Sequence, residues 1–226
     1  MPVLASHFST WWTALVRPDQ GRRLVLEPGV ARPGFDRFLA LGVIALYMFY
    51  GLTLGLYRDA PAALLSALKL PCLYALTLLV CLPPFYALNC LDGPRLRLRQ
   101  CVRLLLLASS ANAVALAAYT PFSLLFTLVT SREGYAFLII MHAVVFALAA
   151  LASLAVIVVL FRATAAAQGR RLRPRLVLTW GLLYAFVGTQ MSWFLRPWLG
   201  SHMVPYALFR PRGGSFFEAL WTMIMR

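Results

Sequence analysis

The chain has 226 residues, of which 62% are hydrophobic and only 12% charged, and its mean hydropathy is +0.78. A soluble domain of this size cannot hide that much apolar surface from water, whereas a bilayer is itself an apolar solvent. The net charge is +14, but the arginines stand in short clusters between apolar runs. That pattern fits topology determinants and headgroup contacts and speaks against nucleic acid as a partner, because no separate basic domain exists to bind it.

The first element is marked by Phe8, Trp11, Trp12 and Leu15, which follow the i, i+3, i+4, i+7 spacing of one helical face. It ends at Arg17-Pro18, and Arg22-Arg23 follow. Two tryptophans beside arginines suit a helix lying flat in the headgroup layer; packing on the membrane domain is the alternative, and the two are compatible. The stretch lacks the basic start and unbroken apolar core of a signal peptide. Residues 19–37 hold Gly21, Pro28, Gly29, Pro33 and Gly34 and read as a loop.

A first span is expected over residues 38–56. Residues 61–70 are apolar but too short to cross alone, and read as interfacial or as a lead into the next helix. The second span covers 72–88, where Pro83-Pro84 removes two backbone donors and predicts a kink or break. The third covers 102–119, is interrupted at Thr120-Pro121 and continues to 129. The fourth covers 135–161 and the fifth 176–195. The tail, 196–226, is rich in aromatics, Pro and Gly, with a short apolar stretch at 216–225 that reads as an interfacial helix. The fold class is therefore all-α integral membrane: a five-helix transmembrane bundle with an N-terminal amphipathic interfacial helix. Residues 1–37 form the opening segment, 38–195 the membrane domain and 196–226 an external tail.

Counting Lys and Arg segment by segment gives 5, 2, 4, 1, 5 and 4. The positive-inside rule then places the N-terminus in the cytoplasm and the C-terminus outside.

Ionisable groups inside spans are the usual marks of transport paths and intramembrane catalysis. No Asp or Glu lies in the interior of any expected span, and His142 is the sole intramembrane histidine. There is no GxSxG, HExxH or P-loop. Cys72, Cys81, Cys90 and Cys101 form neither a CxxC pair nor a zinc spacing, and read as small hydrophobes. The reading is a non-enzyme with no cofactor or metal site. His142 reads first as a hydrogen-bonded packing residue and second as a haem, metal or proton group.

The spans carry packing chemistry instead. Small residues recur every four positions at Gly181, Ala185 and Thr189, at Ser109, Ala113 and Ala117, and at Ala149 and Ser153. Asn112 and Gln190 are placed to hydrogen-bond between helices. Candidate interaction residues are Trp11, Trp12 and Arg17, the loop arginines Arg95, Arg97 and Arg99, then Asn112, His142 and Gln190. In the tail they are Arg196, Arg210, Arg212 and Glu218, which form either an ordered external cap or a headgroup or partner site.

The opening WWTALVRPDQGRRLVLEP, the five-span layout and the loop LNCLDGPRLRLRQCVRLLLLA together resemble the bacterial branch of the Yip (Ypt-interacting protein) family. The tail segments GTQMSWFLRPWLG and FRPRGGSFFEALW are similar to the endings of other bacterial multipass proteins. The resemblance implies a non-enzymatic adaptor of the bacterial inner membrane and supplies no catalytic residues. The family's acidic-tyrosine motif is absent from this N-terminus, so binding of small GTPases does not carry over. The expected function is an accessory or scaffold subunit that binds other integral membrane proteins or phospholipids. A lipid or small-molecule transporter is the second reading, resting on the proline breaks. A redox-complex subunit using His142 is the third.

Overall fold

The computed structural model describes residues 2–27, 29–130 and 134–195, and the tail candidates Arg196, Arg210, Arg212 and Glu218 lie outside them. The described residues form seven helices: α1 (Pro2–Val16), α2 (Pro18–Leu26), α3 (Phe35–Leu56), α4 (Ala60–Asp92), α5 (Leu98–Val129), α6 (Tyr135–Ala167) and α7 (Pro174–Leu195). Four of them, α3 to α6, are long and apolar enough to cross a membrane. Their large apolar side chains are displayed outward as well as inward, with Leu41, Leu79, Ile140 and Leu151 all 60% exposed or more. That is the surface of a protein whose surroundings are themselves apolar.

Two expectations about local structure are corrected, and an open one is decided. Residues 19–37 are not wholly loop, because α2 extends to Leu26 and α3 begins at Phe35. Pro18 sits in its first turn, where a missing N–H costs nothing, and Asp19 favours the positive end of the helix dipole. Gly21 is a crossing point rather than a turn residue: a Cβ there would sit 2.6 Å from both the Ala14 carbonyl oxygen and Leu160 Cδ2. For residues 61–70 the second of the two readings holds: they lead into the next helix and form no separate interfacial element. Asp59 caps α4 by accepting a 2.8 Å bond from the Ala62 amide through Oδ1, Pro61 stands in the first turn, and a single 33-residue helix follows. Neither Pro83-Pro84 nor Pro121 breaks its helix; α4 and α5 run through them. At about 1.5 Å per residue α4 is ~50 Å long, well beyond a hydrocarbon core of about 30 Å, so it tilts or projects.

The tightest seam joins α3 and α4. Gly51 and Gly55 lie four apart on one face of α3, opposite Ala62, Ala63, Ser66 and Ala67. A Cβ at Gly51 would be 2.7 Å from the Ser66 carbonyl oxygen, and one at Gly55 would collide with the backbone of Ala62 and Ala63. This is small-residue packing that lets two backbones touch. Beyond it, α3 also packs on α5, α5 on α6 and α7 on α4. Of the four span-length helices α5 is the most enclosed and α6 the least.

Two sets of mid-bundle polar groups are paired between helices, while Thr127 Oγ1, His142 Nε2 and Trp180 Nε1 are buried without a hydrogen-bond partner. The Tyr47 hydroxyl donates to the Ser109 carbonyl at 3.2 Å and lies 3.1 Å from Asn112 Oδ1, and the Tyr47 ring stacks on Tyr74 at 4.1 Å. The Tyr50 hydroxyl is 2.8 Å from His142 Nδ1 and accepts from Ser123 at 3.4 Å.

Candidate functional site

Three basic segments meet at one end of the bundle. The α4–α5 turn is built by Asn89, fully buried, whose side chain donates to the Leu96 carbonyl at 3.0 Å and accepts from the Leu96 amide at 3.2 Å. Within that turn Arg95 takes a positive φ of 54° and is exposed. Arg97 precedes α5, with its amide donating 2.8 Å to Gln100 Oε1. The α6–α7 connection reaches the same turn, since Arg170 Nη1 donates to the Gly93 carbonyl at 3.1 Å.

The N-terminal segment completes the end. Gln100 Nε2 donates to the Leu26 carbonyl at 3.1 Å and Arg103 Nη1 to the Leu24 carbonyl at 2.9 Å. These bonds satisfy carbonyls in the last turn of α2, which has no later turn to receive them. Arg103 also grips Asp36, in the first turn of α3, through Nε–Oδ1 at 2.7 Å and Nη2–Oδ2 at 2.8 Å. Its side chain is only 7% exposed, against 33% for Asp36. A two-pronged arginine–carboxylate pair at this depth is both directional and strong. Arg99 stands 3.6 Å from the same carboxylate with its side chain 82% exposed, and adds little to the pair.

Helix α1 lies over this end. Trp11 Nε1 donates to Ser110 Oγ on α5 at 2.9 Å, His7 stacks on Phe38 at 5.4 Å, and Arg32 Nη1 donates to Ser6 Oγ at 2.8 Å. The face expected from sequence is split. Trp11 faces the bundle and Leu15 is half-buried, while Phe8 and Trp12 point away from it. Leu4, Phe8, Trp12 and Val16 form an outward apolar stripe, each more than half exposed.

The sequence candidates therefore divide into three sets. Trp11, Trp12, Arg17, Arg95, Arg97 and Arg99 gather at the basic end, where Arg17 and the three loop arginines are exposed. Asn112 and His142 are each 2% exposed and lie in separate buried pairs with Tyr47 and Tyr50. Gln190 is half-buried on α7. The structure does not bring the last three together into one polar cavity. Arg103 and Asp36 were the residues that sequence reasoning passed over. Arg103 counted only as a loop charge, and the usable signal was Asp36 opening an apolar run as the one acid of that helix. Among the described residues no group of three or more His, Cys, Asp or Glu is placed to hold a metal ion.

No family model matches the chain, and no curated protein and no solved structure matches it.

Proposed function

We propose that this chain is a non-catalytic, five-span protein of the bacterial inner membrane, an accessory or scaffold subunit that binds other membrane proteins or lipids through its basic end. The observation that carries the reading is the joining of two surfaces at that end. Exposed arginines from three segments gather at the end of the bundle that α1 lies over, and α1 carries the exposed stripe of Leu4, Phe8, Trp12 and Val16, with exposed Arg17 directly following it. An apolar stripe next to guanidinium groups is what the boundary between acyl chains and anionic headgroups accommodates. In this reading α7 is the fifth span, α1 lies in the cytoplasmic headgroup layer, and the tail is external. The Yip-like character of the opening and of the α4–α5 turn belongs to the same proposal.

The buried pairing of Asn112 with Tyr47 and of His142 Nδ1 with Tyr50, in two separate places, favours the adaptor over a transporter, although His142 Nε2 is buried without a hydrogen-bond partner. Affinity purification of the full chain in a mild detergent tests the subunit role. Co-purification of one integral membrane protein in fixed stoichiometry is expected. A solitary monomer, under conditions that keep known complexes of the same membrane intact, overturns it.

A further inference from the structure

The long helices pack in the order α7, α4, α3, α5, α6, and Phe85 of α4 reaches both Phe161 of α6, at 5.2 Å, and Trp180 of α7, at 5.1 Å. Helices α6 and α7 are consecutive in the chain, yet they do not close on each other. A groove of about 430 Å³ opens between them, bordered by Leu154, Val158, Arg162, Val177, Leu178 and Gly181. We propose that this groove holds one anionic phospholipid, with an acyl chain in the seam and the phosphate at Arg162. The proposal rests on the membrane placement given above and names one ligand of the basic end.

Size, depth and charge all point to that occupant. The volume lies within the range of small-molecule sites, about 300–1,000 Å³. From Leu154 to Arg162 the groove follows α6 for ~12 Å at about 1.5 Å per residue, close to the ~15 Å hydrocarbon depth of one leaflet. It starts at the arginine-rich end and runs inward, as an acyl chain does below its headgroup. Arg162 is the charged residue of the lining. Arg171 and Arg175, both exposed, follow in the α6–α7 connection and first turn of α7, and residues 134–195 contain no Asp or Glu to neutralise them. A basic recess between membrane helices at a headgroup layer is complementary to an anionic lipid and indifferent to a zwitterionic one. Gly181 keeps the seam open: a Cβ there would meet only Leu154 Cδ1, at 3.8 Å. A larger residue at 181 would therefore occupy the groove rather than displace protein.

The test is native mass spectrometry of the intact chain in mild detergent, titrated with phosphatidylglycerol or with phosphatidylcholine of identical acyl chains. Wild type is expected to retain one phosphatidylglycerol about tenfold more strongly than phosphatidylcholine, the equivalent of one to two basic side chains acting on a headgroup of net negative charge. Arg162→Gln is expected to bring the two lipids close together, and Gly181→Leu to remove retention of both. Equal retention by wild type, retention of neither lipid, or phosphatidylglycerol retention unchanged in either variant overturns the proposal. A dimer mass that Gly181→Leu abolishes also overturns it, because a second copy is then the occupant. Release of the protein from membranes by alkaline carbonate marks failure of the membrane reading itself, whereas failure of the lipid titration alone leaves the adaptor role standing.

Discussion

The α3–α4 seam and the α6–α7 seam carry the same sequence pattern and have opposite structures. Gly51 and Gly55 are four apart, and so are Gly181 and Ala185. At the first pair the α4 backbone fills the place a side chain would take; at the second only Leu154 Cδ1 comes within 4 Å of a Cβ at Gly181. Small residues permit close approach without enforcing it. What closes the first seam is the short connection between α3 and α4, with Asp59 capping α4 at the turn, together with Ala62, Ala63, Ser66 and Ala67 on the facing side. What holds the second open is Phe85, wedged between Phe161 and Trp180.

The contrast is a claim about which positions tolerate bulk and which do not. Its hardest test is the latch behind the closed side. Arg103→Ala leaves Asp36 without its buried partner and the Leu24 carbonyl without its donor, a loss of about 3–5 kcal/mol. At roughly 2–4 °C per kcal/mol for a chain this long, thermal melting in detergent should fall by on the order of 10 °C. A drop of only a degree or two would mean that the α1–α2 hairpin is held elsewhere. Gly51→Leu forces α3 and α4 apart and should cost about 1–3 kcal/mol or more by the same assay; a neutral outcome would show that the seam is not tight. Tyr47→Phe removes a buried interhelical bond to Ser109 and Asn112. Such bonds are worth about 0.6 kcal/mol on average in membrane proteins, and about 1.7 at most, so melting should fall by a few degrees at most. Gly181→Leu sits at the other extreme and should change stability by no more than about 0.5 kcal/mol, as a substitution into open space does. If its melting point falls as far as that of Gly51→Leu, the two seams are alike and the contrast is lost.

Much of the fold was legible in the sequence because the apolar runs are long and free of charge. The four span-length helices fall where hydropathy places them, with α6 starting at Tyr135 as expected. The breaker residues misled. Proline and glycine act locally, but what they do depends on what packs beside them. Pro18 and Pro61 open helices, Pro83, Pro84 and Pro121 ride inside them, and Gly21 marks a crossing. The basic end was legible as charge but not as architecture. Arg95, Arg97 and Arg99 look alike beside Arg103 in one dimension, and only the approach of α2 and α3 singles out Arg103 as the buried one. The Phe8, Trp11, Trp12 and Leu15 face was likewise sound as a helix signal. It could not say that Trp11 would turn inward to Ser110 while Trp12 turned out.

The central claim is that the three arginine-rich segments share the cytoplasmic side of a membrane and the α3–α4 turn lies on the other. One cysteine at a time would be introduced at exposed Gln20, Gln168 or Ala60, in a background with the exposed Cys72 and Cys90 replaced by serine and the buried Cys81 and Cys101 kept, and reacted in intact cells with a membrane-impermeant maleimide. The account predicts labelling of Ala60→Cys from outside, and labelling of Gln20→Cys and Gln168→Cys only after the membrane is opened. External labelling of Gln20→Cys or Gln168→Cys, or protection of Ala60→Cys, would contradict it.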